Sequence, residues 1–86
     1  MYILIFQKQA FQFLKRINEP HYSRLRKGIA ELSKNYFIAG KNTKRLKGEM
    51  GELFRLRIGH FRIIYSVDHV LKTITILLIK QRNSVY

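Results

Sequence analysis

The sequence predicts an α+β fold of order β-α-α-(β)-β-β-β, with two N-terminal helices packed on one face of a mostly antiparallel sheet. Residues 53–67 alternate apolar and polar side chains at period two around a Gly59-His60 pair, the pattern of a hairpin. Residues 10–36 repeat apolar side chains at three-and-four spacing on either side of Pro20, the pattern of two helices. Apolar runs near the two ends of the chain supply further strands. Eighty-six residues hold one small core and little more, so residues 1–86 are expected to form a single domain.

Taken in order, YILIF at 2–6 suits a buried or half-buried strand. From about Gln7 the spacing becomes helical, with Ala10, Phe13, Leu14 and Ile17 on one face. Pro20 ends that helix and can open the next, because a helix's first turn tolerates its missing N–H. The second helix is expected over about 21–37, where Tyr22, Leu25, Ile29, Leu32 and Tyr36 form a continuous apolar stripe. Residues 38–43 lack periodicity and include Gly40, so they read as a loop. Residues 44–47, KRLK, read as a short edge strand closed by Gly48, and 49–52 turn the chain into the hairpin.

In that hairpin a two-residue Gly-X loop implies a type II′ turn, with Ile58 opposite Phe61 and Arg57 directly opposite Arg62. Like charges placed directly opposite destabilise a sheet. Three guanidiniums at Arg55, Arg57 and Arg62 suit a face that receives an anion, since the Arg fork matches phosphate. For the last strand, about 72–81, pairing Val67 with Thr73 would put Arg62 opposite Leu78. Lys80 and Arg82 would then join the arginine face. The opposite face would hold Phe54, Leu56, Ile58, Phe61, Ile63, Tyr65, Val67, Leu77 and Ile79 as core. A slip of one residue would reverse that division.

Seventeen Lys and Arg against five acids give a net charge of +12, which points to a polyanionic partner, with nucleic acid first. The basic residues run through both halves of the chain, so the charge belongs to the folded body. No apolar run approaches the roughly 20 residues of a membrane helix, and MYILIFQK reads as a strand rather than a signal peptide. With no cysteine, thiolate catalysis and Cys-based metal sites are excluded. His21, His60 and His69 share no metal-ligand spacing and read as surface or turn residues. No cofactor or metal is expected, and the cytoplasm is the expected location.

The segments RLKGEMGELFRLRIGHFRIIYSVD (45–68) and TITILLIKQRNSVY (73–86) resemble the RelE/ParE superfamily of toxins from type II toxin–antitoxin systems. The shared pattern is an L-x-G turn, a strand of alternating basic residues, a G-x-[YF]-R-[IV]-[IV]-Y hairpin, and a final strand ending in R-x-x-x-Y. The resemblance covers essentially the whole chain and is RelE-like in detail.

It implies a ribosome-dependent mRNA endoribonuclease that inhibits translation by metal-free attack of a 2′-OH on the scissile phosphate. Arg62 matches the arginine that stabilises that phosphate, Arg82 the one serving the leaving group, and Tyr86 the tyrosine beside the 2′-oxygen. Arg55 and Arg57, with Lys80, Arg45 and Lys47, match backbone-binding positions. Many relatives carry a His just before the final Arg, where this chain has Gln81, which cannot titrate. Glu49 and Glu52, and more weakly His60, are reserve candidates for a base.

The resemblance also implies an acidic, RelB-like antitoxin, forming a toxin–antitoxin hetero-oligomer, with the ribosome and mRNA as targets. The alternatives are a ParE-like, non-enzymatic inhibitor of DNA gyrase, or a catalytically degenerate protein that only binds RNA or the ribosome.

Overall fold

The computed structural model describes residues 1–38, 43–46 and 52–82. The elements run β1 (Ile3–Phe6), α1 (Lys8–Arg16), α2 (His21–Lys34), β2 (Thr43–Leu46), β3 (Glu52–Ile58), β4 (Phe61–Asp68) and β5 (Thr73–Gln81). The strands form one sheet in the order β1-β5-β4-β3-β2. Among the described strands only β1 runs parallel to its neighbour, which puts β1 and β5 side by side. Among the described residues no helix is long and apolar enough to cross a membrane.

Each helix stops just short of the last apolar residue of its repeat, Ile17 for α1 and Tyr36 for α2. The α1 stripe buries Ala10 and Leu14, with Phe13 and Ile17 packed beside them. The α2 stripe buries Leu25, Ile29 and Leu32. This helix stops at Lys34, earlier than the expected 37, and Asn35 leaves it with extended backbone. Tyr36 therefore leaves the helix and serves another purpose, because its carbonyl accepts a 2.7 Å hydrogen bond from the Tyr65 hydroxyl.

Tyr65 is fully buried on β4, stacked on Phe54 with ring centroids 5.4 Å apart. Burial pushes its phenol well above the ordinary tyrosine value. Replacing Tyr65 with Phe strands the Tyr36 carbonyl, which should cost about 1–3 kcal/mol in urea unfolding. An unchanged midpoint would show that water replaces the hydroxyl without loss.

The β3–β4 hairpin matches the expected pairing, with Ile58 opposite Phe61 and Arg57 opposite Arg62. Of its two loop residues only Gly59 has positive φ, at 59°, as a type II′ turn requires. The β5 register departs from expectation. Val67 pairs with Ile74 rather than Thr73, and Arg62 pairs with Lys80 rather than Leu78.

The cause is a β-bulge. Ile64 pairs with Leu78 and Tyr65 with Ile76, which leaves Leu77 as the extra residue. The bulge changes the alternation within β5, so Ile74, Ile76 and Ile79 all lie in the core, and Leu77 is only half-buried. Leu77 was expected in the core, and its place there is taken by Ile74 and Ile76.

Candidate nucleic-acid interface

The helices cover one face of the sheet and leave the other face open. On that open face, cross-strand pairing places Lys44 opposite Arg55, Arg57 opposite Arg62, and Arg62 opposite Lys80. Partners directly across a ladder project to the same side, so Lys44, Arg55, Arg57, Arg62 and Lys80 form one basic field. Arg82 joins it from just past β5, where its backbone N–H donates to the His60 carbonyl and draws the chain end toward the hairpin loop.

The electrostatics of the field are unfavourable in isolation. Arg82 holds the Arg57 guanidinium below the ordinary arginine value, with smaller contributions from burial and from Arg55 and Arg62. None of these cations forms an ion pair with a carboxylate among the described residues. The Nε atoms of Arg55 and Arg62 are buried and have no hydrogen-bond partner there. A buried charged donor without an acceptor is costly, and an anion on this face supplies both the acceptor and the opposite charge.

Not every residue singled out from the sequence joins the field. Arg45 sits opposite Phe54, on the helix side of β2, and its guanidinium is 3.2 Å from the Glu52 carboxylate. Lys44, one residue earlier, takes the position expected of Arg45. The edge strand is too short for its alternation to reveal which residue faces which way. Lys47, Glu49 and Tyr86 lie outside the described residues.

Glu52 lies at the end of β3 remote from the Gly59-His60 loop, where it also hydrogen-bonds His69 Nε2. His69 Nδ1 in turn meets the Tyr2 hydroxyl at 2.9 Å. Glu52 is thus held in a polar chain with Arg45, His69 and Tyr2, away from the arginines of the basic field. His60 is exposed on the hairpin loop, as expected of a turn residue. His21 is half-buried instead, its ring edge-on to Phe61 at 5.2 Å, because α2 begins directly over the hairpin.

Lys80 and Arg82 reach the basic field because Ile79, just before them, is anchored in the core. Its backbone N–H donates to the Gln9 side-chain oxygen, and its carbonyl accepts from the Gln9 amide, both at 2.9 Å. Gln9 therefore acts as a one-residue strand where β1 has already ended, since the last β1–β5 pair is Phe6 with Ile76.

The family described as ParE toxin of type II toxin-antitoxin system, parDE, matches residues 4–86. Solved structures agree in fold. The archaeal RelE–RelB complex from Pyrococcus horikoshii OT3 is similar at 29% identity, covering 98% of each chain, with a TM-score of 0.76. The RelBE2 toxin–antitoxin complex from Mycobacterium tuberculosis is similar at 23% identity, covering 94% of this chain and 98% of that one, with a TM-score of 0.75. The YoeB dimer from Staphylococcus aureus follows at 21% identity, 95% and 98% coverage and a TM-score of 0.73. No curated protein matches the chain.

Proposed function

Because this chain belongs to the ParE toxin family of type II toxin–antitoxin systems, within the RelE/ParE superfamily, we propose that its basic sheet face is the toxic surface and that it cuts messenger RNA on the ribosome. The observation that carries this reading is the convergence of Arg55, Arg57, Arg62, Lys80 and Arg82 on one face, without a balancing carboxylate among the described residues. That arrangement suits a phosphodiester better than a protein surface, which would bring its own hydrogen-bonded acids at fewer points.

In the proposed reaction the ribose 2′-OH attacks the adjacent phosphorus, and the bond to the 5′-oxygen breaks. A cyclic 2′,3′-phosphate and a free 5′-OH result, with one proton leaving the 2′-oxygen and one reaching the 5′-oxygen. Negative charge grows on the non-bridging oxygens, and Arg62 is assigned to stabilise it. Arg55, Arg57 and Lys80 hold the flanking phosphates, and Arg82 stabilises the leaving oxygen. By the resemblance, Tyr86 is assigned the 2′-proton, a role that a phenolate can fill. An antitoxin that inhibits the protein would present acidic side chains to this same face.

The ParE description of the matching family favours a second reading, a toxin of the same fold that poisons DNA gyrase without catalysis. Gln81, which has no titratable proton, fits that reading too. Primer extension on a defined message in a cell-free translation reaction separates the two. Cuts within codons, appearing only when ribosomes are present, support the ribonuclease. Intact message together with inhibition in a gyrase supercoiling assay would overturn it.

A further inference from the structure

Beside the basic field, α1 and the end of β5 enclose a cleft of about 320 Å³, lined by Gln9, Gln12, Phe13, Arg16, Ile17 and Gln81. We propose that this cleft is a subsite for a purine base of the bound RNA, an inference that rests on the RNA-binding reading above.

Its position is set by β5. Gln81 lies between Lys80 and Arg82, and successive side chains of a strand point to opposite faces. Gln81 pairs with Phe61, on the helix side, whereas Lys80 pairs with Arg62 on the open side. A single strand of RNA rounding this end of the sheet can therefore keep a phosphate on Lys80 and Arg82 and turn its base toward Gln81.

The lining chemistry selects the ligand class. A phosphate needs donors only, a cation needs acceptors only, and an apolar side chain needs neither. This cleft offers the amides of Gln12 and Gln81, each with donors and an acceptor, together with one guanidinium and no carboxylate, while the Gln9 amide is already bonded to Ile79. Arg16 forms no ion pair among the described residues. Phe13 supplies an aromatic wall fixed edge-on to Phe61 at 5.9 Å. Gln9 is immobilised by its two bonds to Ile79, so that wall is preformed.

A planar heterocycle with mixed donors and acceptors fits this set. Gln pairs two-point with adenine and Arg with guanine, which favours purines over pyrimidines. Both side chains also suit bases that are splayed out of a single strand.

The test measures binding of the full-length chain to short 2′-O-methyl oligonucleotides, which lack the attacking hydroxyl and so remain uncut. Three probes are compared: oligo-A, oligo-U and an abasic strand of equal length. The unaltered protein should bind oligo-A about tenfold more tightly than the abasic strand, the value of one good base contact. Gln12→Ala, on the exposed side of α1, should reduce that ratio to about twofold while leaving affinity for the abasic strand unchanged.

Arg16→Ala should do the same to the ratio, with a small loss on every probe. A ratio that is unchanged in both variants, or an unaltered protein that does not distinguish the three probes, would overturn the proposal. Because no cutting is measured, failure of the ribonuclease reading shows in primer extension, and failure of the subsite shows only here.

Discussion

Replacing Arg62 with Gln should lower the rate of message cleavage by about 10²–10³-fold, the usual loss when one preorganised donor to a developing oxyanion is removed. The effect should fall on the chemical step. Arg55, Arg57 and Lys80 remain to bind the backbone, so the concentration giving half-maximal cutting should change much less than the maximal rate. Primer extension over a range of protein concentrations measures both quantities. A loss confined to binding would place Arg62 among the phosphate anchors and leave the transition state to another residue.

The same substitution should raise the unfolding temperature at low salt. Arg62 stands directly opposite Arg57, and next to Lys80 on the other side. Taking one cation out of that row relieves repulsion that the folded state carries and the unfolded chain largely escapes. The gap should close as ionic strength rises, since charges at this spacing are screened over roughly 10 Å at 0.1 M salt.

Changing pH near neutrality should not close it. Arg57 is a base whose folded value is lowered by Arg82 and its other neighbours, so its penalty is present in full wherever both states are charged. That penalty fades only as pH rises through the lowered folded value, far above neutral. Salt, not pH, is therefore the lever. The basic face is thus held together at some cost to stability.

The part of this face that could be read from sequence is the part fixed by local geometry. Gly59-His60 allows one tight loop, and the loop fixes the register, so the opposition of Arg57 and Arg62 followed on paper. The far side of β4 offered no such anchor. Asp68 closes the next turn by accepting from the Val70 and Leu71 amides, and Lys72 ends it in the left-handed region at φ 58°. A sequence reading DHVLK does not announce either feature.

Beyond that turn, TITILLI alternates only in its first half, and the bulge at Leu77 hides in the apolar run that follows. Lys80 and Arg82 still reach the correct face, because the bulge resets the alternation before Lys80. The β2 edge shows the opposite case. Four residues carry no readable period, so the resemblance points to Arg45 where the ladder places Lys44. Gln9 was invisible for a different reason, because its partner is backbone seventy residues away.

Ile63→Ala should be the most damaging single change to the fold. Ile63 is fully buried on β4, the strand between β3 and β5, and sits between Arg62 and Ile64. Its truncation should cost about 2–5 kcal/mol, a large share of the roughly 5–15 kcal/mol that holds a small domain together. The melting temperature should then fall by on the order of 10–30 °C.

A polyanion should reverse part of that loss, and the size of the reversal tests the central claim about the basic face. Heparin can bind folded and unfolded chains alike, because both carry the same +12 charge. Only the folded chain gathers Arg55, Arg57, Arg62, Lys80 and Arg82 on one surface, so stabilisation measures the advantage of that arrangement over the charge alone. Ligand at 100 times its dissociation constant for the native state adds about 2.7 kcal/mol when the unfolded state does not compete.

Rescue in Ile63→Ala should fall below that figure, because the unfolded chain competes, and should shrink sharply when Arg55→Gln and Arg57→Gln are added, although those changes remove only two of the seventeen basic residues. Equal rescue with and without the two arginines would mean that bulk charge does the binding. The face would then be a solvated surface, and its convergence of guanidiniums would have no part in toxicity.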